Sequence, residues 1–191
     1  LGKRIDLSGA AAVFDLPDGR IGVKLHGFMP ENGADRHEKT DRVPYTAWAQ
    51  GGYCTLTPGD VTDNSYVYNW ICEGEREHGW EVEEVDYDGR NATDLAIRMN
   101  EDRNREDFCV EVSQTCAGQN LAVKTFRELL LQDRVVIEES PLVLWCLQNA
   151  IEIQDNYGNI KLSKRHKDDT ERIDPVAAMM NALARVLVKR T

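Results

Sequence analysis

The chain has 191 residues, of which 41% are hydrophobic and 29% charged, with a net charge of −10. That balance fits a soluble globular domain of ordinary size, and no apolar run approaches the ~18–20 residues that cross a bilayer. The acidic excess argues against a generic nucleic-acid coat, which is usually basic, but not against an enzyme that holds cations beside DNA, since bound metal changes the local sign.

The opening, residues 4–14, is apolar and Ala-rich and reads as a strand that starts at Lys3, as in a chain beginning partway through a longer gene product. No signal-peptide pattern precedes it. Leu16-Pro17-Asp18-Gly19-Arg20 is a tight turn. Residues 21–28 alternate, Ile21, Val23 and Leu25 against Gly22, Lys24 and His26, which is the period of a half-buried strand. The two segments form an antiparallel hairpin. Residues 29–43 are polar and read as a surface loop, 44–50 as a short helical turn, and Thr57-Pro58-Gly59-Asp60 as another turn.

Asn64 caps a helix running to about Glu77, with Val67, Trp70 and Ile71 on one face. Residues 80–87 alternate apolar with acidic and predict a strand; 91–100 predict a helix with Ala92, Leu95, Ala96 and Met99 inward. Residues 108–112 are a further strand, and 121–131 a helix burying Val123, Phe126, Leu129 and Leu130. After a short strand at 135–137, Pro141 begins a helix at the position where a missing N–H costs nothing. Residues 151–162 form a hairpin around Asn156-Tyr157-Gly158-Asn159, and 175–188 a closing helix that buries Val176, Met179, Met180, Leu183 and Leu187. The order predicts an α/β domain with a mixed sheet, antiparallel in its N-terminal part and flanked by helices. Pattern alone does not select the ribonuclease-H-like arrangement, which it suits.

The five cysteines (Cys54, Cys72, Cys109, Cys116 and Cys146) are odd in number and form no CxxC pair, so they read as reduced core or half-buried residues. His26, His37, His78 and His166 are scattered and read as surface residues. There is no GxxxxGK[ST], HExxH or GxSxG, which excludes a P-loop ATPase site within this chain, a zincin and a nucleophile elbow. Few aromatics are available for base stacking.

Three aspartates fall at ends of elements, where side chains can meet. Asp6 sits on the first strand between Ile5 and Leu7, Asp88 ends the strand at 82–87, and Asp174 precedes Pro175. Packed carboxylates need neutralisation, and Mg²⁺ supplies it through oxygen ligands. Each has a plainer reading. Asp174 can be a helix cap, and Asp88 a turn residue before Gly89. Asp6 is hardest to dismiss, because an unpaired aspartate within a central strand is costly. Asp86, Asp15 and Asp155 are decoys. Lys161, Lys164, Arg165 and Lys167 form a basic run, read by itself as a solvated loop and, beside a metal site, as phosphate contacts.

The series Pro141-Leu142-Val143-Leu144-Trp145, Asn149, Asp155-Asn156-Tyr157-Gly158-Asn159, Lys161 and Arg172-Ile173-Asp174-Pro175-Val176-Ala177-Ala178 closely resembles the end of large terminase subunits of tailed double-stranded DNA phages. Val43-Pro44-Tyr45-x-x-Trp48, Val85-Asp86-Tyr87-Asp88 and Ile5-Asp6-Leu7-Ser8 match further upstream, so the resemblance covers essentially the whole chain. It implies a single ribonuclease-H-like nuclease domain over residues 1–191, without the parent's ATPase half, that cuts concatemeric viral double-stranded DNA during packaging with little sequence preference. It implies Asp6, Asp88 and Asp174 as catalytic ligands of two Mg²⁺ or Mn²⁺ ions, with Asp86 as fallback for the second, and Lys161 and Lys164 as DNA contacts. The implied partners are double-stranded DNA, a portal protein and a small terminase subunit, in the host cytoplasm at the procapsid, with no membrane. Two other readings stand beside it: a junction resolvase or transposase core on the same scaffold, and a non-catalytic portal-docking module. One departure is local: the family's opening runs D-L-S, a few residues, then D-L-T-A, whereas here Ser8-Gly9 leads straight into Ala10-Ala11-Ala12.

Overall fold

The computed structural model describes residues 6–90, 92–165 and 170–189. Strands β1 (Ser8–Asp15) and β2 (Ile21–Pro30) pair antiparallel from Ser8 opposite Phe28 to Asp15 opposite Ile21. Gly19 closes the turn between them with φ 81°, a left-handed conformation that costs glycine little. The far edge of β2 is shared. β6 (Val135–Ile137) lies parallel along Ile21–Val23, and β3 (Cys54–Thr57) lies parallel along residues 27–30. β2 is therefore the central strand of a mixed sheet, which is why Ile21, Val23, Leu25, Phe28 and Met29 are all nearly inaccessible.

Helices α1 (Glu31–Asp41) and α2 (Tyr45–Gln50) connect β2 to β3, and α3 (Asn64–His78) follows. Strand β4 (Val85–Tyr87), helix α4 (Thr93–Arg103) and strand β5 (Cys109–Glu111) form a parallel two-stranded unit. Helix α5 (Cys116–Leu131) leads to β6, and α6 (Pro141–Asn149) to the antiparallel hairpin of β7 (Ala150–Gln154) and β8 (Ile160–Lys164). Helix α7 (Asp174–Lys189) closes the chain. The main core joins β2, α5, α6 and the Val176, Met179, Met180 and Leu183 stripe of α7; a second cluster of Ile71, Leu95, Ala96, Met99, Phe108 and Cys109 holds α3, α4 and β5 together.

The hairpin, both late helices and most of the periodic apolar faces follow the sequence expectation. Several elements do not. Residues 29–43 hold helix α1 rather than a loop. Its buried face is Gly33, Ala34, His37 and Asp41, at helical spacing but with hardly any apolar signal. β3 was not expected at all. The strand expected over 80–87 shrinks to Val85–Tyr87. Gly79 caps α3 with φ 66°, and Trp80 donates its N–H to the Gly74 carbonyl at 3.1 Å, so its ring folds back over Gly74 and packs edge-on against Trp70. Asp63, not Asn64, caps α3 through the Ser65 N–H. Helix α5 starts at Cys116, capped by Thr115, and Leu130 is 47% exposed while Ala122 takes the buried position. Asp6 lies ahead of β1 rather than on it. Residues 1–5, Asn91 and the Leu187 side chain lie outside the described residues.

All five cysteines are free, with Cys54, Cys109 and Cys146 buried. No helix among the described residues is long and apolar enough to cross a membrane.

Candidate active site

Asp6, just ahead of β1, is near enough to Asp174 at the start of α7 for its charge to act on that carboxyl. β1 packs against the start of α7 as closely as backbone allows: a Cβ on Gly9 would overlap backbone atoms of Asp174 and Pro175. Asp6 is a quarter exposed, and its Oδ1 accepts the Leu7 N–H at 2.8 Å and pairs with Arg172 Nη1 at 2.7 Å. Asp174 opens α7 with Oδ2 buried and without a hydrogen-bond partner among the described residues. The plain helix-cap reading leaves that oxygen unexplained. Burial, and then the negative charge of Asp6, push the Asp174 carboxyl up to about 6; the Lys164 and Arg172 charges work against them. Two neighbouring carboxylates, one with a buried oxygen left without a hydrogen-bond partner among the described residues, form a donor set that suits a hard divalent cation.

Arg172 has 1% of its side chain exposed. Nε donates to Asp41 Oδ2 at 3.2 Å and Nη2 to His37 Nδ1 at 3.0 Å. A guanidinium cannot accept, so His37 Nδ1 is the acceptor in this hydrogen bond. Tyr45 donates its hydroxyl to Asp41 Oδ2 at 2.9 Å, and burial, reinforced by the Asp41 charge, drives its pKa far above the ordinary phenol value. Burial alone would depress the Arg172 pKa; the charges of Asp6 and Asp41 outweigh it, and the side chain stays charged.

Asp86 and Asp88 approach from β4. Asp86 is 6% exposed and lies 3.9 Å from Arg185, which also bridges both oxygens of Glu84 at 2.9 and 3.2 Å. Asp88 follows the strand, half-buried, and its Oδ1 accepts the Arg90 N–H at 3.1 Å, as an aspartate turn does. Asp86, Asp88 and Asp174 line one cleft of about 860 Å³ between the two cores; Asp6 is not among its lining residues. Asp174 is thus the residue common to both groups. No three acidic, His or Cys side chains among the described residues stand close enough to form a ready-made metal cluster.

Lys161 and Lys164 sit on β8, not in a solvated loop. Lys161 donates to the Gln114 carbonyl at 2.9 Å and lines a second cleft with Asp88, Arg90 and Glu111. Lys164 is near enough to Asp174 to lower its pKa. His166 and Lys167 lie outside the described residues. His37 and His26 are not surface residues: the first is buried on Arg172, and the second is stacked on Trp70. From the sequence alone Arg172, His37 and Asp41 carry no assigned role. The signal available was the i, i+4 spacing of His37 and Asp41, which puts both on one face of a helix.

A central β2 flanked by an antiparallel partner and two parallel ones, with carboxylates gathered where β1, β4 and α7 approach one another, is a ribonuclease-H-like nuclease fold. The chain belongs to the family of terminase large subunit endonuclease domains, whose model matches residues 1–190. The large terminase subunit of Enterobacteria phage HK97 is 29% identical over 187 residues, 94% of this chain and 34% of that protein, so the chain spans about a third of this curated relative. The crystal structure of the HK97 large terminase superposes with a TM-score of 0.83 at 29% identity, over 97% of this chain and 38% of that one. The large terminase nuclease of thermophilic phage G20c matches with a TM-score of 0.45 at 14% identity, over 97% of this chain and 78% of that one.

Proposed function

We propose that this domain is a divalent-metal-dependent endonuclease that cuts concatemeric viral double-stranded DNA during genome packaging. The observation that carries it is Asp174 Oδ2, buried beside Asp6 with no hydrogen-bond partner among the described residues. Asp6 and Asp174 would hold Mg²⁺ or Mn²⁺, with Asp88 or Asp86 completing the set for two ions from the β4 side of the cleft. Such ions, when bound, activate water and stabilise the departing 3′ oxygen in phosphodiester hydrolysis. The chain's own residues prepare the site. Arg172 restrains Asp6, burial of Asp174 keeps bulk water from its inner oxygen, and Lys161 and Lys164 meet backbone phosphate. Phosphate contacts carry no base information, so cutting has little sequence preference. Double-stranded DNA, a portal protein and a small terminase subunit are the proposed partners, in the host cytoplasm at the procapsid.

Plasmid cleavage tests this. The purified chain should nick and linearise supercoiled DNA with Mg²⁺ or Mn²⁺ and not with EDTA. Asp6→Ala and Asp174→Ala should each lose at least about 100-fold in rate, equivalent to roughly 2.7 kcal/mol of barrier. Comparison of Asp86→Ala with Asp88→Ala assigns the third position to whichever loses activity. A correctly folded wild type inert with both metals would sink the reading and favour a portal-docking module.

A further inference from the structure

Arg172 is among the largest fully buried side chains in the protein, and a buried charge is tolerated only where its partners are placed well. The fold supplies them from far along the chain. Helix α1 turns His37 and Asp41 inward, and Tyr45 at the start of α2 steadies Asp41. A purely structural staple would end there. This one does not: the same planar guanidinium sends Nη1 out of the buried cluster to Asp6, a quarter-exposed carboxylate beside Asp174. Nε is fixed by Asp41 and Nη2 by His37, so the direction of Nη1 is set before Asp6 is reached. The ion pair from Arg172 and the hydrogen bond from the Leu7 N–H both fall on Asp6 Oδ1.

We propose that Arg172 is a positioning residue for the metal site: anchored by His37 and Asp41, it holds Asp6 in the orientation in which that carboxylate joins Asp174 on a divalent cation. This rests on the nuclease reading above. It makes a directional claim. A positive charge near the site repels a metal ion, so an arginine that served only as counter-charge would give tighter metal binding when removed. A positioning arginine gives weaker binding, by the roughly 10–100-fold typical of groups that orient metal ligands.

The test is Mn²⁺ titration by calorimetry on the purified chain, with melting temperature in EDTA as the control for folding. Removal of Arg172 alone would strand the buried Asp41 carboxylate, so the main variant is Arg172→Gln with Asp41→Asn, which removes both charges together. It should melt close to wild type in EDTA and bind Mn²⁺ about 10–100-fold more weakly. His37→Ala, which frees only Nη2, should weaken binding several-fold. Arg172→Lys keeps the charge but cannot fix three directions at once, and it should not restore wild-type affinity. Wild-type affinity in either the double variant or Arg172→Lys, or tighter binding in the double variant, overturns the positioning role while the nuclease reading stands. Absence of Mn²⁺ binding by the wild type overturns the metal site itself, and this proposal with it.

Discussion

His26 shows how a single side chain couples the sheet to pH. It sits on β2, shares a hydrogen bond with Thr55 Oγ1 at 2.8 Å, meets Phe28 edge-on and stacks on Trp70 at 5.9 Å. Burial, and then the Lys24 charge, push its pKa down to about 4 from 6.5, with Glu138 pulling the other way. The native state therefore resists protonation that the unfolded chain accepts. The contribution to stability is complete above pH 6.5 and falls as pH descends towards 4, by up to ~3 kcal/mol. His26→Gln keeps a partner for Thr55 and cannot titrate. Urea unfolding at pH 7.5 and 4.5 should show wild type losing more stability than His26→Gln; equal losses would rule the coupling out. The difference between the two proteins is the quantity to read, because carboxylates such as Asp174 titrate over the same range in both.

At the scale of elements, the junction of β1 with α7 carries the candidate site, and Gly9 is its tightest point. An added Cβ meets backbone of Asp174 and Pro175, which cannot swing aside as a flexible side chain would. Gly9→Ala should therefore cost about 1–3 kcal/mol and lower the melting temperature by roughly 3–10 °C. It should also weaken Mn²⁺ binding by moving Asp174 from Asp6. An unchanged melting temperature would mean that the junction is looser than the structure shows. The sequence disclosed this junction only partly. β2 and α7 were legible because their core residues recur at periods of two and of three to four, and β1 because it is an apolar, Ala-rich run that ends in a tight turn. α1 was not, since its buried face is made of two small residues and two polar ones whose partner, Arg172, lies far away in the chain. β3 was too short to show a period. The pairing of Asp6 with Asp174 came from the resemblance to terminases rather than from spacing. The three-way contact of Arg172 with Asp6, Asp41 and His37 was invisible because a sequence does not say which arginine is buried.

For the molecule as a whole, charge is the constraint. A domain of net charge −10 must approach a polyanion, and its cations near the site are few. Arg172 is buried on carboxylates and Arg185 is engaged by Glu84, which among the described residues leaves Lys161, Lys164 and Arg90 beside the clefts. Each phosphate neutralised contributes about −0.9 to the slope of log affinity against log salt. Three such cations among the described residues predict a slope of about −3, with weak binding at physiological salt. Fluorescence anisotropy of a short duplex in EDTA, titrated with KCl, measures it. Lys161→Ala with Lys164→Ala should bring the slope to about −1 and leave Mn²⁺ affinity within about threefold. A slope steeper than about −5 would reveal further cations in contact with the duplex beyond these three. A shallow one implies that the domain cuts only where something else holds DNA against it at high local concentration. On the nuclease reading, that requirement is itself a restraint on cutting: the acidic surface disfavours free DNA, and the metal site acts on a strand delivered to it.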